Sequence, residues 1–369
     1  MRKLNYLIIG CMAVVAMAFS VMPSTTSLKY DLSTGSPEIK SMSKLSFGPD
    51  GILFIGDTKS ASVFALNTND TKANQQASDV SVKDIAKTLA ESLGTTAEDI
   101  VIQDMVANPI SKALYFAVHT ADGTPVLLKM VNGKISKIGL DNVEYSMAGI
   151  VDAPAEDAAD SRGRPIRVHA ISDLEYADGK VMVSGLSNKE FSSTFRSMSF
   201  PFKDDASSTS LEIYHANHGR YETYAPIKSF TTAEIGGRSY LVASYTCTPL
   251  VLFPMDELKS GQHVKGRTVG ELGNRNTPLD IISMKLGNKT SLLFANSSRP
   301  MMRVNIDDIN RYDGSLTSKV EETGGVDFKV FDQKDVQQLD AFGNNKVVMI
   351  QKMEDGALAL FSAPANKWQ

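Results

Sequence analysis

One motif recurs six times along this chain: a short apolar strand, a polar turn and a second apolar strand. The positions that open the six copies are separated by 60, 69, 56, 51 and 58 residues. These opening positions are Lys44, Asp104, Asp173, Ser229, Asp280 and Gln338. A recurrence at this period, with about four short strands per repeat, predicts an all-β protein with a β-propeller fold. We expect six blades within residues 41–369, with seven as the alternative.

The N-terminal segment predicts export. Met1-Arg-Lys precedes an apolar run that ends at Ala16-Met-Ala18, the pattern of a signal peptide over residues 1–18. We therefore expect a periplasmic or extracellular protein, with a polar leader over residues 19–40 and no membrane span after cleavage. The alternatives are an uncleaved N-terminal anchor and a lipid anchor on Cys11, which ends the lipobox-like Ile8-Ile-Gly-Cys11.

The charge pattern excludes one class of partner. The net charge is −4, and basic and acidic residues are interspersed along the chain. Nucleic-acid binding needs clustered Lys and Arg to neutralise phosphates, so we expect no nucleic-acid partner.

Residues 81–94 predict a short helical insert. Ser81 and Asp84 can form a capping box, and Ile85, Leu89 and Leu93 follow at helical spacing before Gly94. We expect this amphipathic helix to lie against the rim between the first and second blades.

The channel mouth is the predicted location of a site. The loop that enters a blade's first strand and the loop that leaves its second strand lie at the same end of the ring, because the two strands are antiparallel neighbours. Carboxylates and amides at these positions could cage Ca²⁺, a hard cation that takes oxygen ligands. The candidate calcium ligands are Asp57, Asp104, Asp173, Asp280 and Asn296. His119 and Asp173 are the candidate catalytic residues of a hydrolase at this mouth. The alternative for each Asp is a structural one, as a cap for backbone N–H groups.

Long polar loops predict a binding face. Residues 152–170 and 187–210 interrupt the later blades, and loops of this length inside a compact domain are often functional. Candidate ligand-binding residues lie in these loops and in the loops around the fifth blade: Asn188, Arg196, Arg275, Asn276 and Arg299. The leading hypothesis is a binding or scaffold protein with a protein or small-molecule ligand on this face, to which Arg162, Arg164 and Arg196 contribute. The first alternative is a calcium-dependent hydrolase.

Cys247 is the single cysteine after the predicted cleavage. Burial is the expectation for such a thiol. The alternative is a copper or redox site that uses Cys247 with His119 or a methionine. His215-Ala-Asn-His218 has the spacing of a helical metal site, but it follows a strand and precedes Gly219, so we predict a hairpin turn.

The blade pattern resembles the exported NHL and YVTN-type propeller repeats. The resemblance rests on Phe47-Gly-Pro-Asp-Gly51 followed by Ile52–Asp57, and on Asp104-Met-Val-Ala-Asn-Pro109 followed by Leu114–Val118. It implies the fold and no activity. A looser similarity to gluconolactonase and paraoxonase propellers implies a calcium-dependent hydrolase whose acidic and amide ligands lie on several inner strands.

Overall fold

The chain forms six antiparallel sheets arranged around a central channel. The computed structural model describes residues 29–74, 78–343 and 345–369. Each of the six inner strands contacts two other inner strands, so the ring is closed. The prediction of a six-bladed all-β propeller is confirmed. The predicted signal peptide and Cys11 lie outside the described residues, and export stays a prediction. Within the residues that the structure describes, none of the helices is long and apolar enough to cross a bilayer.

The first three blades are described from the channel outward. The first blade contains Lys44–Phe47, Ile52–Asp57, Ser62–Asn67, Val143–Gly149 and Ser33–Gly35. The second contains Ile100–Ala107, Leu114–Thr120, Pro125–Val131 and Lys134–Lys137. The third contains Asp173–Ala177, Lys180–Leu186, Ser193–Ser199, Ser207–His215 and Arg220–Glu222, and His263–Lys265 pairs with its fourth strand.

The other three blades follow the same plan. The fourth contains Ser229–Ile235, Arg238–Ser244, Pro249–Pro254, Arg267–Glu271 and Gly324–Gly325. The fifth contains Pro278–Leu286, Lys289–Asn296, Met302–Asn305 and Lys329–Val330. The sixth contains Val336–Ala341, Lys346–Lys352, Leu358–Pro364 and Ser81–Val82. The second strand of the first blade, Ile52–Asp57, is buried along its whole length, because neighbouring blades pack on both of its faces.

Helices are few in the described residues. The α-helices are α1, Ile85–Leu93, and α2, Ile306–Arg311. The 3-10 helices are Lys29–Asp31, Pro49–Gly51, Ala97–Asp99, Arg167–His169, Met255–Glu257 and Ala365–Trp368. Asp84 caps α1, because its side chain accepts a hydrogen bond from the backbone N–H of Lys87, and Gly94 ends the helix in the left-handed conformation.

The order of blades around the ring differs from their order in the chain. The inner strand of the second blade contacts those of the first and sixth blades, and the inner strand of the third blade contacts that of the first. The chain therefore makes four of the five strands of the first blade, adds Ser81–Val82 to the sixth, and builds the second blade between them. It then returns to the first blade with Val143–Gly149.

This order corrects the predicted place of the helix. α1 packs between the sixth and second blades, where Ile85 and Leu89 join a core that contains Phe116, Val348 and Leu360. The predicted position between the first and second blades was wrong, because the chain joins the sixth blade at Ser81–Val82 just before the helix and so enters the second blade from that side. Ring closure also uses the short strand Ser81–Val82, which pairs with Leu358–Pro364.

Gly185 allows the loop before the third blade to pass close to its second strand. A Cβ at this position would lie 2.2 Å from the backbone oxygen of Ala170. We expect Gly185→Ala to lower the free energy of unfolding by about 2–3 kcal/mol, since backbone must move to relieve the overlap. Urea denaturation measures this, with Gly149→Ala as the control, because a Cβ at Gly149 meets nothing within 4 Å. Equal losses in the two variants would contradict the expectation.

Candidate functional site

The opening positions of the six copies do meet at one end of the channel. Lys44 pairs with Gly56, Asp104 with Ala117, and Asp173 with Ser184, so each of these positions lies opposite the middle or the C-terminal end of its second strand. Four of the six opening positions, Lys44, Asp104, Asp173 and Asp280, line a cavity of about 220 Å³ to which all six inner strands contribute. Asp104, Asp173 and Asp280 all lie on this cavity.

The carboxylates at the mouth are bonded between blades. Each accepts a hydrogen bond from the backbone N–H of the neighbouring inner strand. The bonds are Leu45 N–H to Asp104 at 2.7 Å, Phe230 N–H to Asp173 at 2.8 Å, and Leu339 N–H to Asp280 at 3.1 Å. Gln338 accepts from Met105 N–H in the same way, at 3.0 Å. These side chains therefore fix the register of adjacent blades.

Lys44 places a positive charge among these carboxylates. Its Nζ lies 3.8 Å from Asp104 Oδ1, and its side chain is 17% exposed. Burial would lower the pKa of Lys44, but the charges of Asp104, Asp173 and Asp280 raise it overall. Burial raises the pKa of Asp104 to about 6 and holds the pKa of Asp280 well above its usual range. The ammonium group thus supplies the charge balance that a bound cation would supply.

A second layer of acids lies two residues further along two inner strands. Burial, and then the charge of Asp173, raises the pKa of Glu175 to about 8. Burial likewise raises the pKa of Asp340 to about 7, although Asp340 accepts a hydrogen bond from Ala107 N–H at 2.8 Å. Both carboxyls therefore hold protons in the folded protein at pH values where the unfolded chain has released them.

These raised pKa values predict that stability falls as the pH rises. Between about pH 5 and pH 8 the folded state binds more protons than the unfolded state, so the free energy of unfolding decreases with pH. We expect Glu175→Gln to flatten this decrease by up to about 1.4 kcal/mol per pH unit in that range. Denaturation between pH 5 and pH 9 measures how the free energy of unfolding changes with pH. The control is Glu190→Gln, because Glu190 is exposed. Parallel profiles for wild type and Glu175→Gln would contradict it.

The structure places Asp57 and Asn296 in local loop contacts. Asp57 accepts hydrogen bonds from Lys40 N–H at 2.7 Å and Ser60 N–H at 3.0 Å, which secures the leader. Asn296 accepts from Asn276 Nδ2 at 2.8 Å and donates to Pro300 O at 3.0 Å. Of the five predicted calcium ligands, the three inner-strand aspartates line one cavity together.

His119, a predicted catalytic residue, serves as a hydrogen-bond acceptor. Its Nε2 accepts from Met42 N–H at 3.0 Å, and burial lowers its pKa. This hydrogen bond therefore requires the neutral form of the imidazole ring. Asp173, the other predicted catalytic residue, is bonded to Phe230 N–H and Leu174 N–H.

The predicted ligand residues around the fifth blade lie on the same end of the ring. Asn276 is buried, and its side chain braces the loop at Ser298 as well as Asn296. Arg299 contacts Asn274 O at 3.3 Å and Glu322 at 3.5 Å. Arg275 is exposed, so it is the member of this group that is open to a ligand.

Arg196 lies inside the third blade and not on its loop face. It is 3% exposed. Its Nε donates to Asp152 Oδ1 at 2.7 Å, and its Nη2 donates to Leu186 O at 2.9 Å. Asp152 also contacts Lys189 Nζ at 3.1 Å, and its backbone oxygen accepts from Asn188 N–H. Arg196 therefore holds the long loop against the blade, whereas Asn188 is exposed on the face.

Five exposed large apolar or tyrosine side chains lie in the segments at this end of the third blade. They come from the loop before the blade, the loop after its second strand, and its outer hairpin. We call Val151, Val168, Phe191, Tyr221 and Tyr224 the blade-three surface. Val151 is 98% exposed although its neighbour Asp152 is fixed by the Arg196 ion pair.

Internal contacts hold the backbone of the blade-three surface in place. Arg167, beside Val168, donates to Thr58 O at 2.9 Å and to Lys59 O at 3.0 Å. Ser193 N–H, at the end of the loop after the second strand, donates to Thr223 O, which follows the last strand of the outer hairpin. This hydrogen bond joins the two segments. The sequence predicted a binding face at residues 152–170 and 187–210 from their length and polarity, but not at the outer hairpin, and the residues chosen were Arg162, Arg164, Asn188 and Arg196. The apolar residues between the polar ones were the signal that would have found this surface.

Cys247 and the two neighbouring histidines lie close together at the boundary of the third and fourth blades. His215 and His218 flank the turn of the outer hairpin, so the predicted hairpin is confirmed. Cys247 is partly exposed and not buried as expected, because it sits in the turn that leaves the second strand of the fourth blade. One ring nitrogen of each histidine and Cys247 Sγ lie within 4.8 Å of one another.

Comparisons with known proteins return propellers among solved structures. The WD40 β-propeller domain of Doa1 superposes with a TM-score of 0.35 and 9% identity, over 91% of this chain and 97% of that chain. A structure of YCF48 bound to D1 peptide superposes with a TM-score of 0.34 and 9% identity, over 92% of this chain and 85% of that chain. No family model and no curated protein matches the sequence. Likeness at this level carries no functional argument, and the resemblance to NHL, YVTN-type and lactonase propellers stays a prediction.

Proposed function

We propose that this protein is a binding module that holds a protein partner on the blade-three surface. The observation that carries the proposal is a group of five exposed apolar side chains on loops that are hydrogen-bonded to one another and to the blade. Clustered exposed apolar groups are typical of interaction sites, and tyrosines are frequent binding hot spots. Because the loops are already ordered, binding would require little further loss of conformational entropy.

The channel mouth favours this function over hydrolysis. The three inner-strand aspartates are occupied by backbone N–H groups, and Lys44 balances their charge. His119 is occupied as an acceptor. These contacts leave the mouth suited to holding the ring together, so we do not place a calcium ion or a hydrolytic step there.

The proposal is tested with a variant of the surface, Val151→Ser/Tyr221→Ser/Tyr224→Ser. The wild type, the triple variant and the control are each used as bait, and the partners crosslinked to each bait are quantified by mass spectrometry. Loss of a hot-spot side chain costs about 2 kcal/mol or more, so we expect partner recovery to fall at least about thirtyfold. The matched control is Val131→Ser, an exposed valine at the far end of the second blade. Equal partner recovery by the triple variant and the control would overturn the proposal.

A further inference from the structure

A group of three side chains at the boundary of the third and fourth blades has the composition of a metal site. His215 and His218 come from the outer hairpin of the third blade, and Cys247 comes from a turn of the fourth blade. Their ligand atoms lie within 4.8 Å of one another. Donor atoms of a tetrahedral zinc site are about 3.3–3.5 Å apart, so small side-chain rotations close the site around an ion.

Glu222 orients both imidazole rings. Its Oε2 lies 3.0 Å from His215 Nδ1, and its Oε1 lies 2.7 Å from His218 Nδ1. A carboxylate that accepts from Nδ1 fixes the tautomer and leaves Nε2 as the ligand atom, as in carboxylate–histidine–zinc arrangements.

One ligand atom is buried without a partner. His215 is 2% exposed, and its Nε2 makes no hydrogen bond within the described residues. Leaving a buried polar atom unsatisfied costs about 1–3 kcal/mol. A metal ion bound to Nε2 would remove that cost, so this atom points to a ligand independently of the cysteine.

Hydrogen bonds to neighbouring residues hold both the turn that carries the histidines and the turn that carries Cys247. Glu271 Oε1 accepts from Ala216 N–H at 2.7 Å and from Asn217 N–H at 3.1 Å, which fixes the turn between the histidines. Cys247 N–H donates to Asn276 O at 2.6 Å, and Thr248 Oγ1 donates to Gly273 O at 2.7 Å. Ligands held by such supporting contacts need little rearrangement when the ion binds.

We propose that His215, His218 and Cys247 bind Zn²⁺, with a fourth position open to water or to a group of the partner. Two imidazoles and a thiolate suit a borderline metal ion, whereas Ca²⁺ and Mg²⁺ require oxygen ligands. Three protein ligands with an open fourth position are a common arrangement for zinc. The side chain of His218 is 42% exposed, so one side of the group is open to solvent.

The test uses residues 19–369, which omit the predicted signal peptide, stripped of metal by a chelator. Zn²⁺ is titrated in competition with a chromophoric chelator, and Co²⁺ is titrated separately and followed by absorption. We expect one Zn²⁺ per chain, a thiolate-to-cobalt charge-transfer band, and visible bands typical of four-coordinate Co²⁺. Glu222→Gln should lower zinc affinity about 10–100-fold. Cys247→Ser and His218→Gln should lower it further, and Cys247→Ser should abolish the charge-transfer band.

The matched control is His263→Gln, since His263 lies outside the group and contacts Glu212. Circular dichroism melts of the metal-free proteins identify any variant that fails to fold, and Cys247→Ser is nearly isosteric with the wild-type side chain. Three results would overturn the proposal: zinc stoichiometry well below one, equal affinity in wild type and Cys247→Ser, or binding of copper alone. None of these readouts depends on the blade-three surface, so this proposal and the proposed function fail separately.

Discussion

Replacing Lys44 with methionine is expected to destabilise the ring by about 3–5 kcal/mol at pH 8. The substitution leaves Asp104, Asp173 and Asp280 around one cavity without their positive charge. Removing one partner of a buried ion pair is costly because the other charge stays buried. The loss should shrink at pH 5, which lies below the pKa of about 6 that burial gives to Asp104, because that carboxyl is then largely protonated. Lys44 is charged throughout this range, so the pH dependence arises from the acids.

Urea denaturation at pH 5 and pH 8 measures this effect. The matched control is Lys40→Met, four residues earlier, because the side chain of Lys40 is exposed. Combining Lys44→Met with Asp104→Asn should restore part of the stability at pH 8, since it removes one of the uncompensated charges. If Lys44→Met is as stable as wild type at pH 8, the acids are neutral without it and our account of the channel is wrong.

Replacing Arg196 with methionine is expected to cost about 3–5 kcal/mol as well. Its guanidinium is buried and bonded to Asp152 Oδ1, Ala170 O and Leu186 O. Without it, the Asp152 carboxylate loses its buried counter-charge, and the loop over residues 150–172 loses two of its contacts with the blade, those of Arg196 with Asp152 and Ala170. We therefore expect faster cleavage of this loop by trypsin, followed by mass spectrometry, together with a lower urea midpoint.

Arg164 supplies the comparison, because it forms an arginine–aspartate pair on the surface. It is 69% exposed and contacts Asp160 at 2.6 Å. Exposed pairs contribute about 0–1 kcal/mol, so Arg164→Met should be close to neutral. Similar losses from Arg196→Met and Arg164→Met would show that burial does not decide the contribution of these pairs. A smaller loss in Arg196→Met/Asp152→Asn than in Arg196→Met would identify the buried carboxylate as the origin of the cost.

Local patterns were sufficient for the inner part of each blade, because the three strands nearest the channel are neighbours in sequence in all six blades. Hairpins such as Ile52–Asp57 with Ser62–Asn67 are joined by short turns, and alternation of polar and apolar residues sets which face each side chain takes. The same alternation places Asp173 and Glu175 on the channel side of one strand. The capped helix over Ile85–Leu93 was predicted for the same reason, since its cap and its apolar spacing are local.

The sequence by itself determined the number of blades, the inner strands and the end of the ring at which their opening positions gather. Tertiary structure decided which blades are neighbours, since the second blade lies between the sixth and the first. It also decided that Asp104 bonds to Leu45 N–H, 59 residues away, and that Cys247 meets His215 and His218. Strand period and turn chemistry act over a few residues. Contacts between blades depend on how whole sheets pack, and the spacing of residues along the chain does not record that packing.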